Sequence, residues 1–159
     1  MKKIKFFALT IILIIIDQIS KYLVILNIKN MSKQIIPNIL DFTYCENRGI
    51  AFGMGSGHVK IVCAITLIII IAIMIIINKN FKKINKLELI GIASIIAGGI
   101  GNLIDRFFRA YVVDFIDFGR IVDFPVFNIA DICVVLGVFV IGIGYILDNR
   151  GEKVEKDNR

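Results

Sequence analysis

The chain has 159 residues, 57% of them hydrophobic, and a mean hydropathy of +0.82. Nineteen Lys and Arg against 13 Asp and Glu leave a formal charge of +6. The apolar content excludes a disordered chain and fits an ordinary soluble globule poorly, and the modest, scattered positive charge argues against a nucleic-acid partner.

The first apolar run covers Phe6–Ile28 and is interrupted by Asp17 and Lys21. Its start, Met-Lys-Lys-Ile-Lys, resembles a secretory signal peptide, but no small-x-small cleavage site follows and the run resumes at Tyr22. It is therefore read as a retained span. A second run, Ile61–Ile77, carries no charge, a third covers Leu89–Ile104 and a fourth Ile129–Leu147. Each approaches the ~20 residues that cross a ~30 Å hydrocarbon core. Lipid offers no water to backbone groups, so such runs must be helices; this outweighs the mediocre helix propensity of Ile. The reading is one membrane domain over residues 1–159, with no internal repeat.

Lysines and arginines in short flanks set orientation. Lys2, Lys3 and Lys5 precede the first span, Lys79, Lys82, Lys83 and Lys86 lie between the second and third, and Arg150, Lys153, Lys156 and Arg159 fill the tail. These segments are expected on the cytoplasmic side, with both termini. The segments at about 29–60 and 105–128 then lie outside. Of the 13 acids, Glu88, Asp148, Glu152, Glu155 and Asp157 fall on the inner side. The other eight (Asp17, Asp41, Glu46, Asp105, Asp114, Asp117, Asp123 and Asp131) gather in the outer half of the first span or beyond the membrane.

Asp17 and Lys21, spaced i, i+4, can pair on one helix face. Asn102/Asp105 and Asn128/Asp131 share the pattern Asn-x-x-Asp, which puts both side chains on one face. Taken singly they have structural readings: Asn128 as a helix N-cap, Asp131 as a charge in the first turn, Asp105 paired with Arg106. Together, several carboxylates and amides at one membrane depth suggest chemistry. His58 is the only histidine and is read as a loop residue, so histidine-assisted nucleophiles and histidine metal sites have no support. Cys45, Cys63 and Cys133 form no C-x-x-C pair, and no disulfide framework, metal or cofactor is expected. A Ser20–Lys21 dyad is disfavoured because adjacent helical residues point apart. Carboxylates remain. Two close aspartates share a proton, so one can take a proton from water while the other gives one to a carbonyl oxygen. From spacing alone, Asp105, Asp114, Asp117 and Asp123 are equal candidates for the partner.

The chain resembles the bacterial lipoprotein signal peptidases (signal peptidase II), which are integral membrane aspartic endopeptidases. The matching blocks are Asp17-Gln18-Ile19-Ser20-Lys21, Asn47-Arg48-Gly49-Ile50-Ala51-Phe52-Gly53, Gly98-Gly99-Ile100-Gly101-Asn102-Leu103-Ile104-Asp105-Arg106, Val112-Val113-Asp114-Phe115 and Pro125-Val126-Phe127-Asn128-Ile129-Ala130-Asp131. Each is weak alone; in this order on four spans they are specific. Ile132 departs from the small polar residue common after the last aspartate. The resemblance implies Asp114 and Asp131 as the catalytic pair. It implies Asn102, Arg106, Asn128, Asn47 and Gly49 as substrate-binding or orienting residues, with Asp17, Lys21 and Asp105 as structural support. It also implies the bacterial cytoplasmic membrane as the setting and prolipoproteins carrying a diacylglyceryl cysteine as substrates, and it supports a small β-rich extracytoplasmic segment around Ile35–Phe52. A monomer is expected, and the outer loop over Asn47–Gly53 is expected to close on substrate, with Gly49 and Gly53 giving it backbone freedom. The rival readings are a small proton-coupled transporter or channel subunit, whose acids would be spread through the bilayer depth, and an assembly subunit with acids as interhelical glue.

Overall fold

The computed structural model describes residues 2–29, 31–49 and 58–157, with side chains described up to residue 148. Seven elements follow in order: α1 (Lys2–Ile28), β1 (Ser32–Ile36), β2 (Leu40–Asn47), α2 (Val59–Asn80), α3 (Lys86–Arg109), β3 (Val112–Asp117) and α4 (Ile129–Asp157). Four helices are long and apolar enough to cross a membrane: Lys2–Ile28, Val59–Asn80, Lys86–Arg109 and Ile129–Asp148. Each contains the corresponding apolar run. α4 continues past its run through the charged segment to Asp157, which reads from sequence only as a tail.

The helices are inside-out relative to a soluble bundle. Ile11, Ile12, Ile15, Ile68, Ile76 and Phe139 are exposed, as suits side chains whose solvent is lipid. Where helices meet, backbone approaches backbone. A Cβ built on Gly137 would lie 2.6 Å from the Gly91 carbonyl oxygen, and one on Gly91 would lie 2.5 Å from that of Gly137. The α3–α4 seam therefore excludes side chains at both positions. α3 begins with a capping box in which Asn85 Oδ1 accepts from the Glu88 N–H (2.9 Å) and Glu88 Oε2 accepts from the Asn85 N–H (3.1 Å). It ends on Ala110 in the left-handed region (φ 62°), whose N–H donates to the Arg106 carbonyl at 3.1 Å.

β1, β2 and β3 form an antiparallel sheet in that order. Both of the first two strands lie between α1 and α2; β2 falls within the expected segment Ile35–Phe52, whereas β1 starts before it at Ser32, and the part at 50–52 lies outside the described residues. The third strand is a difference, since it comes from the α3–α4 connection. Val113, Phe115 and Ile116 on β3 pack with Val24 and Ile28 of α1, which seats the sheet on the end of the bundle. Phe127 adds an isolated bridge to Ile116 and returns the chain to the start of α4.

Candidate active site

β3 and the start of α4 present one carboxylate each to a common cavity of about 950 Å³. On β3, Asp114 stands opposite Cys45 of β2, and Val112 opposite Asn47. Side chains alternate across a strand, so these positions face the cavity while Val113 and Phe115 face α1. Among the acids left open by spacing, the geometry separates the roles. Asp105 is fully buried and paired with Lys21 and Arg109. Asp117 accepts from the Gly119 N–H at 2.8 Å, closing a turn. Asp123 is exposed in the loop before α4. Asp114 and Asp131 both line the cavity.

Four oxygens of these two carboxylates each accept a hydrogen bond. Asp114 Oδ1 accepts from Asn128 Nδ2 (2.6 Å) and Oδ2 from Asn47 Nδ2 (2.9 Å). Asp131 Oδ1 accepts from Asn102 Nδ2 (2.7 Å) and Oδ2 from the Asn128 backbone N–H (3.1 Å). Asn128 Oδ1 in turn accepts from the Asp131 N–H at 3.0 Å. The pair Asn128–Asp131 is thus a reciprocal cap on the first turn of α4, and the same two side chains reach the neighbouring acid and amide. The helix cap expected of Asn128 is realised here, and its side chain also reaches the carboxylate of Asp114. Burial, and then the charge of Asp131, push the Asp114 carboxyl up to about 6, while the donors on Asn47 and Asn128 pull it down.

The first and third helices meet in a buried ionic knot. Lys21 Nζ lies 2.9 Å from Asp17 Oδ2 and 3.2 Å from Asp105 Oδ2, with all three side chains about fully buried. Asp17 Oδ1 accepts from the Ala130 N–H at 2.9 Å, tying α1 to the start of α4. Asp105 Oδ2 accepts from the Val113 N–H at 3.1 Å, tying α3 to β3 beside Asp114. Removing either partner would leave a buried uncompensated charge, which typically costs ~3–5 kcal/mol. Gly101 makes this approach possible, because a Cβ there would lie 2.5 Å from Asp17 Oδ2.

One pairing differs from expectation. Asp105 does not pair with Arg106; its partners are Lys21 and Arg109, four residues on along the same helix face. Arg106 points instead into the cavity and donates from Nη2 to the Gly49 carbonyl at 2.9 Å. Gly49 N–H donates to Asn47 Oδ1 at 2.9 Å, so the end of β2 is held against the site from two directions. The rest of the Asn47–Gly53 loop, from 50 onward, lies outside the described residues. Of the ten residues singled out from sequence, six line this cavity (Asn47, Gly49, Asn102, Arg106, Asp114 and Asp131), Asp17, Lys21 and Asp105 form the knot that abuts it, and Asn128 is buried behind the cavity wall, donating to Asp114 and Asn102. Sequence reasoning did not find Cys45, Thr66, Val134 and Val135 as cavity-lining residues. They lie on apolar runs and a strand, and no local signal marks which face turns inward. Ile132 packs in the apolar cluster with Val24 and Ile28, away from the polar groups.

The chain matches a family model described as signal peptidase (SPase) II over residues 9–147. It is 43% identical over 148 residues to a lipoprotein signal peptidase of Fusobacterium nucleatum, covering 92% of this chain and 89% of that protein. To the lipoprotein signal peptidase of Clostridium acetobutylicum it is 40% identical over 146 residues, covering 89% and 94%. Its fold is similar to a bacterial membrane enzyme solved by the in meso method at 2.3 Å, with a TM-score of 0.78 and 36% identity over 91% of this chain and 89% of that one.

Proposed function

Because this chain belongs to the signal peptidase II family, we propose that it is a membrane aspartic endopeptidase that removes signal peptides from diacylglyceryl-modified prolipoproteins by cleaving before the lipidated cysteine. The observation that carries the chemistry is Asn128, which donates to Asp114 from its side-chain amide and to Asp131 from its backbone N–H. Two acids on separate elements are thereby set beside one cavity. A water held between them loses a proton to the ionised carboxylate and attacks the scissile carbonyl, whose oxygen takes the proton of the other acid. The roles reverse as the tetrahedral intermediate collapses and the leaving amine is protonated. Arg106, with its guanidinium in the cavity, suits a substrate carbonyl. Asn102, Asn128 and Asn47 orient the carboxylates, and Gly49 lets the end of β2 come close.

The setting we propose is the bacterial cytoplasmic membrane, as a monomer of one domain, with both termini cytoplasmic and the sheet and cavity toward the extracytoplasmic face. The lysines of the short flanks support that orientation. Thr66, Gly98, Gly99 and Val134 carry the cavity down among the helices, where a signal-peptide helix could lie beside them. Neither nucleic acid nor a cofactor has a part in this reading.

The test is incubation of the purified protein with a prolipoprotein before and after diacylglyceryl transfer. Release of the signal peptide from the modified substrate alone is the expected result. Equal cleavage of both, or none of either, would overturn the substrate assignment.

A further inference from the structure

Each of the three asparagines that hold the acids has its carbonyl oxygen pinned by a group that can only donate. Asn47 Oδ1 is held by the Gly49 N–H and Asn128 Oδ1 by the Asp131 N–H, both backbone. Asn102 is different. Its Oδ1 accepts from Lys21 Nζ at 2.9 Å and from Asn128 Nδ2 at 3.1 Å. An ammonium has three donors and no acceptor, so the atom of Asn102 that faces it must be oxygen. The amide nitrogen is then turned to Asp131 Oδ1, at 2.7 Å.

Lys21 spends its donors unevenly for a residue whose task is charge neutralisation. One N–H meets Asp17 on its own helix and a second meets Asp105 on α3. Arg109 also pairs with Asp105, so the two acids already face two cations. The third donor goes to a neutral amide whose other end touches the catalytic carboxylate. Lys21 itself is 0% exposed, which keeps water from competing for that bond. A charged donor on the amide oxygen polarises the amide and strengthens its N–H as a donor.

We propose that Lys21 is a positioning residue of the catalytic centre: its ammonium fixes the direction of the Asn102 amide and holds the amide N–H on Asp131. The inference rests on the reading of Asp114 and Asp131 as the catalytic pair. The groups facing Lys21 are Asp17 from α1 and Asp105 and Asn102 from α3; those facing Asp131 through the shared cavity are Asp114 from β3 and Arg106 from α3.

The experiment removes the ammonium without leaving a net charge behind. Lys21→Met combined with Asp17→Asn is compared with Asp17→Asn alone, each in detergent with the lipid-modified prolipoprotein, and rates are expressed per folded molecule. We expect kcat to fall about 10- to 100-fold, the size that follows from a slightly misplaced catalytic group, with KM changed less than about twofold. In an Asn102→Ala background the Lys21 substitution should add less than about a twofold further loss, because the two residues act in series. An unchanged kcat per folded molecule with only a smaller folded fraction would overturn the proposal. So would a full multiplicative loss in the Asn102→Ala background. If the Met variant does not fold, Lys21→Leu with Asp17→Asn, which also lacks a donor, carries the same comparison. Failure of the catalytic-pair reading is seen separately, as normal processing by Asp114→Asn or Asp131→Asn with Lys21 intact.

Discussion

Asparagine amides, rather than cations, hold the carboxylates of Asp114 and Asp131. A neutral donor stabilises the ionised acid less than an ion pair would, which leaves room for a proton to be shared between Asp114 and Asp131. With Asp114 pushed up to about 6 by burial and by the charge of Asp131, the pair retains its proton below that pH and loses it above. The alkaline limb of kcat/KM for the free enzyme should therefore fall near pH 6. Asn47 donates to Asp114 and favours its charged form, so Asn47→Ala should move that limb to higher pH while lowering the maximal rate. A limb that stays in place or moves to lower pH would contradict the hydrogen-bond assignment. Residue types and spacing reached Asp131 and both Asn-x-x-Asp patterns, because i, i+3 side chains share a helical face. They could not separate Asp114 from Asp105, Asp117 or Asp123; Asp105 and Asp123 lie off β3, which leaves Asp114 against Asp117. That choice depends on which face of a strand meets α1, and it is made by Val113 and Phe115 packing on Val24 and Ile28.

At the scale of elements, the four spans were legible because lipid forces long apolar runs into helices whatever their propensity. β3 was not. Its six residues, Val-Val-Asp-Phe-Ile-Asp, show no alternation, with Val112 to Ile116 all buried. Its partner β2 lies far back in the chain, beyond two helices. Long-range pairing of this kind leaves no local mark, whereas the capping boxes at Asn85 and Asn128 are local and readable. The α3–α4 seam was equally hidden, because a glycine in a span says nothing about what approaches it. The structure gives it content: Gly137→Val places branched side-chain atoms where the Gly91 carbonyl lies. Overpacking of this kind costs typically ~1–3 kcal/mol. Thermal unfolding in detergent should show a lower midpoint, and an unchanged midpoint would mean the helices do not pack as closely as described.

Across the whole molecule, an ionic knot joins α1, α3, the start of α4 and the start of β3. Asp17 reaches the Ala130 N–H and Asp105 the Val113 N–H, so the two elements that carry Asp131 and Asp114 are each tied to the knot by their backbone. The acids at the centre of the molecule thus divide: Asp17 and Asp105 fix the scaffold, and Asp114 and Asp131 face the cavity. Asp17→Ala should lower folded protein by an amount consistent with breaking a buried pair, ~3 kcal/mol or more. The activity per folded molecule should fall much less. An abundant, stable but inactive Asp17→Ala enzyme would reverse that division. In the proposed mechanism Asp114 and Asp131 perform the cleavage. The most direct measurement is processing of a diacylglyceryl-modified prolipoprotein by purified Asp114→Asn and Asp131→Asn variants that insert and fold like the parent. Each should release no signal peptide above background, and near-normal processing by either would contradict the account.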